Sequence, residues 1–121
     1  MADVVRAVRS GDLELMKKAM SKPGFCVNAP ASGGRTPLHH AVDCGKIDVC
    51  QALVQRGADV DLEDQGECTP VYIALLKNNK RMVEWLLEQG ADPKGKSPDG
   101  DKYADCTEDE GMKELFKKKW N

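Results

Sequence analysis

Two side chains in this sequence have the spacing of a shared chemical site, His40 and Cys44. They are four positions apart, so on a helix they would lie on one face. Imidazole and thiolate both bind zinc, but a tetrahedral site needs two further ligands, and the sequence offers only Cys68 in the next repeat. The pair could also act as a nucleophile and its base, yet nothing supplies an oxyanion hole or a substrate cleft. We therefore expect no metal, no cofactor and no enzymatic activity.

Composition limits the class of protein further. The chain of 121 residues has five cysteines, an odd number, with no Cys-x-x-Cys spacing, no signal peptide and no apolar run of about 18 residues. We expect a reduced, soluble, intracellular protein whose cysteines are small buried apolar residues. The net charge of the chain is −2, whereas nucleic-acid-binding proteins are normally basic. Only 5% of residues are aromatic, which suits thin helix pairs.

The elements that position these side chains recur at a fixed period. Residues 33–41 read Gly-Gly-Arg-Thr-Pro-Leu-His-His-Ala, and residues 69–74 read Thr-Pro-Val-Tyr-Ile-Ala. Gly57-Ala58-Asp59 returns as Gly90-Ala91-Asp92, so both motifs recur after 33 residues. Proline suits the first helical position because its missing N–H would have no partner there. This period, with Thr-Pro-Leu-His-x-Ala, is typical of the ankyrin repeat, a β-turn followed by two antiparallel helices.

The period predicts one all-α domain, a solenoid of about four stacked helix-turn-helix repeats with β-turn fingers. The approximate repeats are 1–30, 31–63, 64–96 and 97–121. The first lacks the Thr-Pro signature, as expected at the end of a stack, and the last is shortened, with Tyr103-Ala104 in place of Pro-Leu. His39 should bond between adjacent repeat loops. Helical spacing predicts a buried set: Leu38, Ala41, Val49, Leu53, Ala74, Val83, Leu86 and Leu87.

A combination of short segments carries a closer resemblance. The segments are Gly33-Gly34-Arg35, Pro37-Leu38-His39, Asp43-Cys44-Gly45, Gly57-Ala58-Asp59, and Pro98-Asp99-Gly100 ahead of a shortened last repeat. With them, the whole chain resembles the myotrophin family of small ankyrin-repeat proteins. The resemblance implies a cytoplasmic protein that binds heterodimeric actin capping protein and holds it away from filament barbed ends. The alternative is an ankyrin adaptor or inhibitor for a different protein partner.

The repeat register places the fingers and the inner helices on one concave face. Residues 59–67 contain five acids and no base, so this face would attract a basic partner. The resemblance implies that capping protein has such a basic surface. The alternative is that these acids only keep exposed turns in contact with water. We expect a monomer with no nucleic-acid or membrane partner. The predicted partner-binding residues are Gly33, Arg35, His40, Asp43, Cys44, Glu63, Asp64, Glu67, Cys68, Leu76, Lys77, Asp99 and Asp101.

Overall fold

The computed structural model describes residues 2–30 and 32–117, without the side chains of Ala2 and Ser32. Seven α-helices lie in this part of the chain: α1 (Ala2–Ser10), α2 (Leu13–Met20), α3 (Pro37–Asp43), α4 (Ile47–Gln55), α5 (Pro70–Leu76), α6 (Lys80–Glu88) and α7 (Glu110–Lys117). Two short 3₁₀ segments, Ser32–Gly34 and Tyr103–Cys106, accompany them. The described residues form no β-strand beyond one isolated bridge between Lys96 and Lys102. The predicted all-α class is confirmed.

The helices pair and stack in chain order. α1 packs on α2, α3 on α4 and α5 on α6, while the inner helices α1, α3 and α5 lie side by side. The 3₁₀ segment Tyr103–Cys106 continues the inner row beside α5, and α7 packs on α6. The last unit therefore has a single 3₁₀ turn where the others have an inner helix. Its four residues are too few for two α-helical turns, which need about seven.

Local sequence explains where the helices begin and end. Pro37 and Pro70 are the first residues of α3 and α5, as the repeat motif predicts. Asn79 caps α6, because its Oδ1 accepts the N–H of Met82 at 3.1 Å. Asn78, just after α5, has a φ of 52°, the left-handed turn expected of an asparagine in this place. Between α3 and α4, Gly45 takes the corresponding left-handed position with a φ of 70°.

One continuous apolar core runs through the stack, from Val4 in α1 to Leu115 in α7. All eight residues predicted to be buried are at most 2% exposed. The expectation for the cysteines is correct only in part. Cys50 is fully buried, and burial raises the pKa of its thiol to about 12, whereas Cys26 is exposed and the other three are partly buried. No helix among the described residues is long and apolar enough to cross a membrane.

Truncation of one core leucine should weaken the whole stack. Leu86 lies on α6 and its side chain is 0% exposed. Leu86→Ala therefore removes buried methyl groups and leaves a cavity. We expect the free energy of unfolding to fall by about 2–5 kcal/mol, measured by urea denaturation. Because each repeat supports only its neighbours, the loss should lower the stability of the entire short solenoid.

Leu76→Ala is the matched control for that experiment. Leu76 is 64% exposed, and substitutions at exposed positions usually change stability by about 0.5 kcal/mol or less. Equal losses for the two variants would contradict the assignment of Leu86 to the core.

Candidate partner-binding face

The second finger (residues 59–68) is organised around the carboxylate of Asp64. Its Oδ1 accepts the N–H groups of Gly66 at 2.8 Å and Cys68 at 2.9 Å, and its Oδ2 pairs with Arg35 Nε at 3.3 Å. Burial by itself would raise the pKa of Asp64. The N–H donors of Cys68 and Gly66, with the positive charge of Arg35, stabilise the carboxylate and hold its pKa below the usual value.

This environment corrects one part of the sequence interpretation. The sequence predicts Asp64 to be among the acids that face a partner, but its side chain is 7% exposed, since it is turned inward to bind its own turn. The exposed acids of this finger tip are Glu63 and Glu67. Glu67 has a φ of 62°, a conformation that is unfavourable for residues other than glycine. Its N–H donates to the carbonyl of Asp64 at 3.0 Å, which helps to hold the turn.

The first finger (residues 22–35) touches the second at Gly33, Gly34 and Arg35. The N–H of Gln65 donates to the carbonyl of Gly33 at 3.0 Å. Gly34 has a φ of 74°, and a Cβ there would lie 2.7 Å from the backbone nitrogen of Gln65. Only glycine permits so close an approach of the two fingers. Gly33 is exposed, whereas Arg35 is partly buried in its ion pair.

His39 connects the start of its own helix to the next finger. Its Nδ1 lies 3.1 Å from the backbone nitrogen of Thr36, and its Nε2 lies 3.0 Å from the carbonyl oxygen of Cys68. Since the Thr36 N–H can only donate, Nδ1 accepts and Nε2 carries the hydrogen given to Cys68. Burial lowers the pKa of His39, so the ring is neutral near pH 7. The expected bond between repeat loops is confirmed.

His40 and Asp43 lie on the exposed side of α3. His40 is partly buried, and its Nδ1 is enclosed with no hydrogen-bond partner in the described part of the chain. Burial lowers the pKa of His40, and the positive charges of Arg35 and Arg9 lower it further. Asp43 Oδ1 accepts from Lys77 Nζ at 3.2 Å. This ion pair joins the last residue of α3 to the residue that follows α5.

The two cysteines of the predicted site, Cys44 and Cys68, are both partly buried. Cys44 directly follows α3 and is partly buried, with its N–H donating to the carbonyl of His40 at 3.0 Å. Cys68 is partly buried, and burial raises the pKa of its thiol. Across residues 2–30 and 32–117, no three or more His, Cys, Asp or Glu side chains are grouped as metal ligands would be.

The remaining predicted residues lie on α5 and at the third finger (residues 93–101). Leu76 is 64% exposed and Lys77 is exposed beside it. Asp99 and Asp101 are both exposed, on a tight loop in which the N–H of Ser97 donates to the carbonyl of Asp101 at 2.8 Å. The structure therefore exposes acids on two neighbouring fingers.

Sequence reasoning missed a set of side-chain bonds that join successive fingers. Asn28 Oδ1 accepts the N–H of Asp59 at 2.8 Å, and Asp61 Oδ1 accepts the N–H of Asp92 at 3.0 Å. Asn28 and Asp61 are 33 positions apart, so the repeat period itself was the signal that could have found them. Asp61, like Asp64, thus accepts backbone hydrogen bonds that stabilise the fingers.

The fold and this face define a class of protein, a helical-repeat module that binds other proteins. The family model described as ankyrin repeats, in three copies, matches residues 4–97. The chain therefore belongs to the ankyrin-repeat family.

Relatives by sequence include a regulatory subunit of a protein phosphatase and a protein named for its ankyrin repeat and SAM domain. Protein phosphatase 1 regulatory subunit 27 of Mus musculus is 30% identical over 112 residues, which cover 91% of this chain and 73% of that protein. Ankyrin repeat and SAM domain-containing protein 6 of Mus musculus is 34% identical over 91 residues, 74% of this chain but only 10% of that protein. The second relative is therefore a much longer protein that shares only this region.

The neutral state of His39 predicts a pH-dependent stability. Burial lowers its folded pKa below the ordinary value of 6.5, so between the two pKa values the unfolded chain binds a proton that the folded chain does not. Stability is then complete above about pH 6.5 and falls as the pH decreases below it. Urea denaturation at pH 7.5 and pH 5.5 measures the change.

His39→Gln is the control for this pH dependence. The variant should be less stable at pH 7.5, by about 1–3 kcal/mol, because buried hydrogen-bonding groups lose partners, and it should lose less stability on acidification. Some dependence should remain, since burial also lowers the pKa of His40. An unchanged pH dependence would show that His39 is not the group that titrates.

The role of Asp64 in the second finger is tested by Asp64→Ala. The change leaves the N–H groups of Gly66 and Cys68 without their acceptor and Arg35 without its ion-pair partner. We expect a loss of about 1–3 kcal/mol in the free energy of unfolding, and faster hydrogen exchange at those two amides. Glu63→Ala, an exposed acid one residue away, should change neither quantity appreciably; a loss equal to that of Asp64→Ala would refute the structural role.

Proposed function

We propose that this protein binds heterodimeric actin capping protein and so regulates barbed-end actin assembly in the cytoplasm. The partner comes from the resemblance to the myotrophin family, carried by segments such as Gly33-Gly34-Arg35 and Asp43-Cys44-Gly45. In this proposal the chain occupies basic residues of capping protein that would otherwise hold the filament end. It acts by binding alone, without an enzymatic step.

One observation of the concave face supports a basic partner. Glu63 and Glu67 on the second finger and Asp99 and Asp101 on the third are exposed. None of these four carboxylates forms an ion pair with a described residue. Acids that the fold already pairs with bases would exert little long-range attraction, whereas these four have no ion-pair partner among the described residues. Such a field steers a basic surface toward the fingers and speeds association.

A second candidate partner is protein phosphatase 1. It is favoured by the similarity to a regulatory subunit of that enzyme, which extends over 91% of this chain. In this alternative the same face and the same helical scaffold would serve an adaptor for the phosphatase. The two candidates predict binding to different purified proteins, so one assay format can compare them.

The test measures binding of the purified chain to capping protein, with the kinetics recorded at several salt concentrations. We expect micromolar or tighter affinity for the wild type. The double variant Glu63→Lys/Glu67→Lys should associate about tenfold more slowly at low salt and show a weaker salt dependence, because electrostatic steering is lost. Asp64 is left unchanged in this design, since its loss would disturb the finger itself.

The control is Glu14→Lys/Glu88→Lys, which makes the same change in net charge on the outer helices α2 and α6. It should bind nearly as the wild type does. A wild type that does not bind capping protein at micromolar concentration contradicts the proposal, and binding of protein phosphatase 1 in the same assay would establish the alternative. Equal binding by the finger variant would leave the partner in place but remove the acidic tips from the interface.

A further inference from the structure

The last unit of the stack contains an open cavity of about 360 Å³, which we call the end cavity. It is lined by residues 93–96 at the base of the third finger, residues 102–104 at the last 3₁₀ segment, and Phe116 of α7. Small-ligand sites in proteins have volumes of about 300–1,000 Å³, so the end cavity has room for a molecule of one or two rings. None of the residues predicted to bind a partner lines it.

The wall of the end cavity is aromatic and is held from the neighbouring repeat. The ring centroids of Tyr103 and Phe116 lie 5.6 Å apart, with the ring planes inclined at 51°, an arrangement that aromatic pairs favour. The hydroxyl of Tyr103 is hydrogen-bonded to Oγ1 of Thr69, which fixes the position of that ring. Pro93, Ala104 and Phe116 are partly exposed, so apolar surface in the cavity is available to a ligand.

Gly95 lets the third finger lie directly against this wall. A Cβ at position 95 would lie 2.6 Å from the hydroxyl oxygen of Tyr103 and 2.8 Å from two carbons of its ring. Carbon atoms in favourable contact are about 3.5–4.0 Å apart, so a larger residue at this position would displace either the finger or the ring. The shape of the end cavity therefore depends on a glycine in the finger.

Three lysines lie at the edge of the end cavity. Lys94, Lys96 and Lys102 are exposed, and none of them forms an ion pair with a described residue. The antiparallel bridge places Lys96 opposite Lys102, and like charges in such a pair destabilise each other. Asp92 and Asp101 adjoin this segment in the sequence, but neither lines the cavity. The end cavity therefore combines an apolar wall with an excess of positive charge.

We propose that the end cavity binds a small aromatic anion, a molecule of one or two rings that has a carboxylate or phosphate group. The ring packs against Pro93, Ala104 and Phe116, and the anionic group lies between Lys96 and Lys102. Binding removes apolar surface of the wall and of the ligand from water. The anion also reduces the repulsion between the two paired lysines. This site does not depend on the proposed function.

The test uses two probes with the same naphthalene ring, naphthylacetate, which is an anion at pH 7, and naphthylethanol, which is neutral. Two-dimensional NMR of the full chain follows the amide signals during titration. For a ligand of about 14 non-hydrogen atoms we expect a dissociation constant of about 1 mM or tighter for the anion. The largest changes in chemical shift should occur at Gly95, Lys96 and Ala104. Naphthylethanol should bind at least about threefold more weakly, because it forms no ion pair.

The variant Lys96→Gln/Lys102→Gln tests the role of the paired charges. It should bind naphthylacetate at least about threefold more weakly than the wild type, with a smaller salt dependence, and should bind naphthylethanol as the wild type does. The control is Lys17→Gln/Lys18→Gln, which makes the same change in net charge on α2, where both lysines are exposed. This control should leave the binding of both probes unchanged.

The variant Ala104→Leu tests the cavity itself. It places a larger apolar side chain in the end cavity and leaves the net charge unchanged. The changes in chemical shift at Gly95 and Lys96 should be lost with both probes, because the volume is already filled. Thermal unfolding of each variant verifies that the fold is retained.

Three outcomes would overturn the inference. The first is that the wild type does not bind naphthylacetate at millimolar concentration. The second is an equal weakening by the Lys17/Lys18 control, which would assign the attraction to net charge rather than to this site. The third is binding of hexaglutamate without binding of naphthylacetate, which would make the lysines a surface for an acidic protein segment. Binding to capping protein is a separate measurement, and none of these outcomes decides it.

Discussion

The stack depends on the hydrogen bonds that pass from one repeat to the next, and His39 shows how they work. A single neutral ring accepts the Thr36 N–H at the start of α3 and donates to the Cys68 carbonyl of the following finger. In a solenoid each repeat contacts only its neighbours, so the relative position of two repeats must be specified at the junction between them. The imidazole does this because its two nitrogens point in different directions and have opposite hydrogen-bonding roles. The buried position of the ring also makes the junction sensitive to protonation. In a charged imidazole Nδ1 carries a hydrogen, so it no longer accepts the N–H of Thr36.

The acids of the fingers form two groups: some bind backbone N–H groups, and others are exposed to solvent. Asp61 and Asp64 accept backbone N–H groups and are therefore part of the turn structure. Glu63 and Glu67, which have longer side chains, are exposed and form no ion pair with a described residue. Short carboxylates reach their own or a neighbouring backbone easily, as in Asx turns, whereas glutamates extend into solvent. An acidic finger is thus both a folding element and a charged surface, and a mutational study that treats all its acids alike would confuse the two.

The sequence alone predicted the all-α repeat fold and its buried positions. The period of 33 residues placed α3 and α5 at Pro37 and Pro70, and the burial of Leu38, Leu53 and Leu86 followed from helical spacing. These features are local, because a proline at the first turn and an apolar residue at the correct interval act within a single repeat. The shortened last repeat was also evident in the sequence, from Tyr103-Ala104 where Pro-Leu was expected.

What only the tertiary structure decided is the environment of each side chain between repeats. Asp64 and Glu63 are neighbours of similar chemistry, yet one is turned into the finger and the other faces solvent. Tyr72 stands in the register of a buried histidine but is partly exposed, and Leu76 stands in the register of Asp43 but belongs to no core. Such differences arise from contacts with Arg35, Tyr103 and the adjacent fingers, which are about one repeat away in sequence. The period fixes which positions meet, but the identity and direction of the atoms that meet depend on packing in three dimensions.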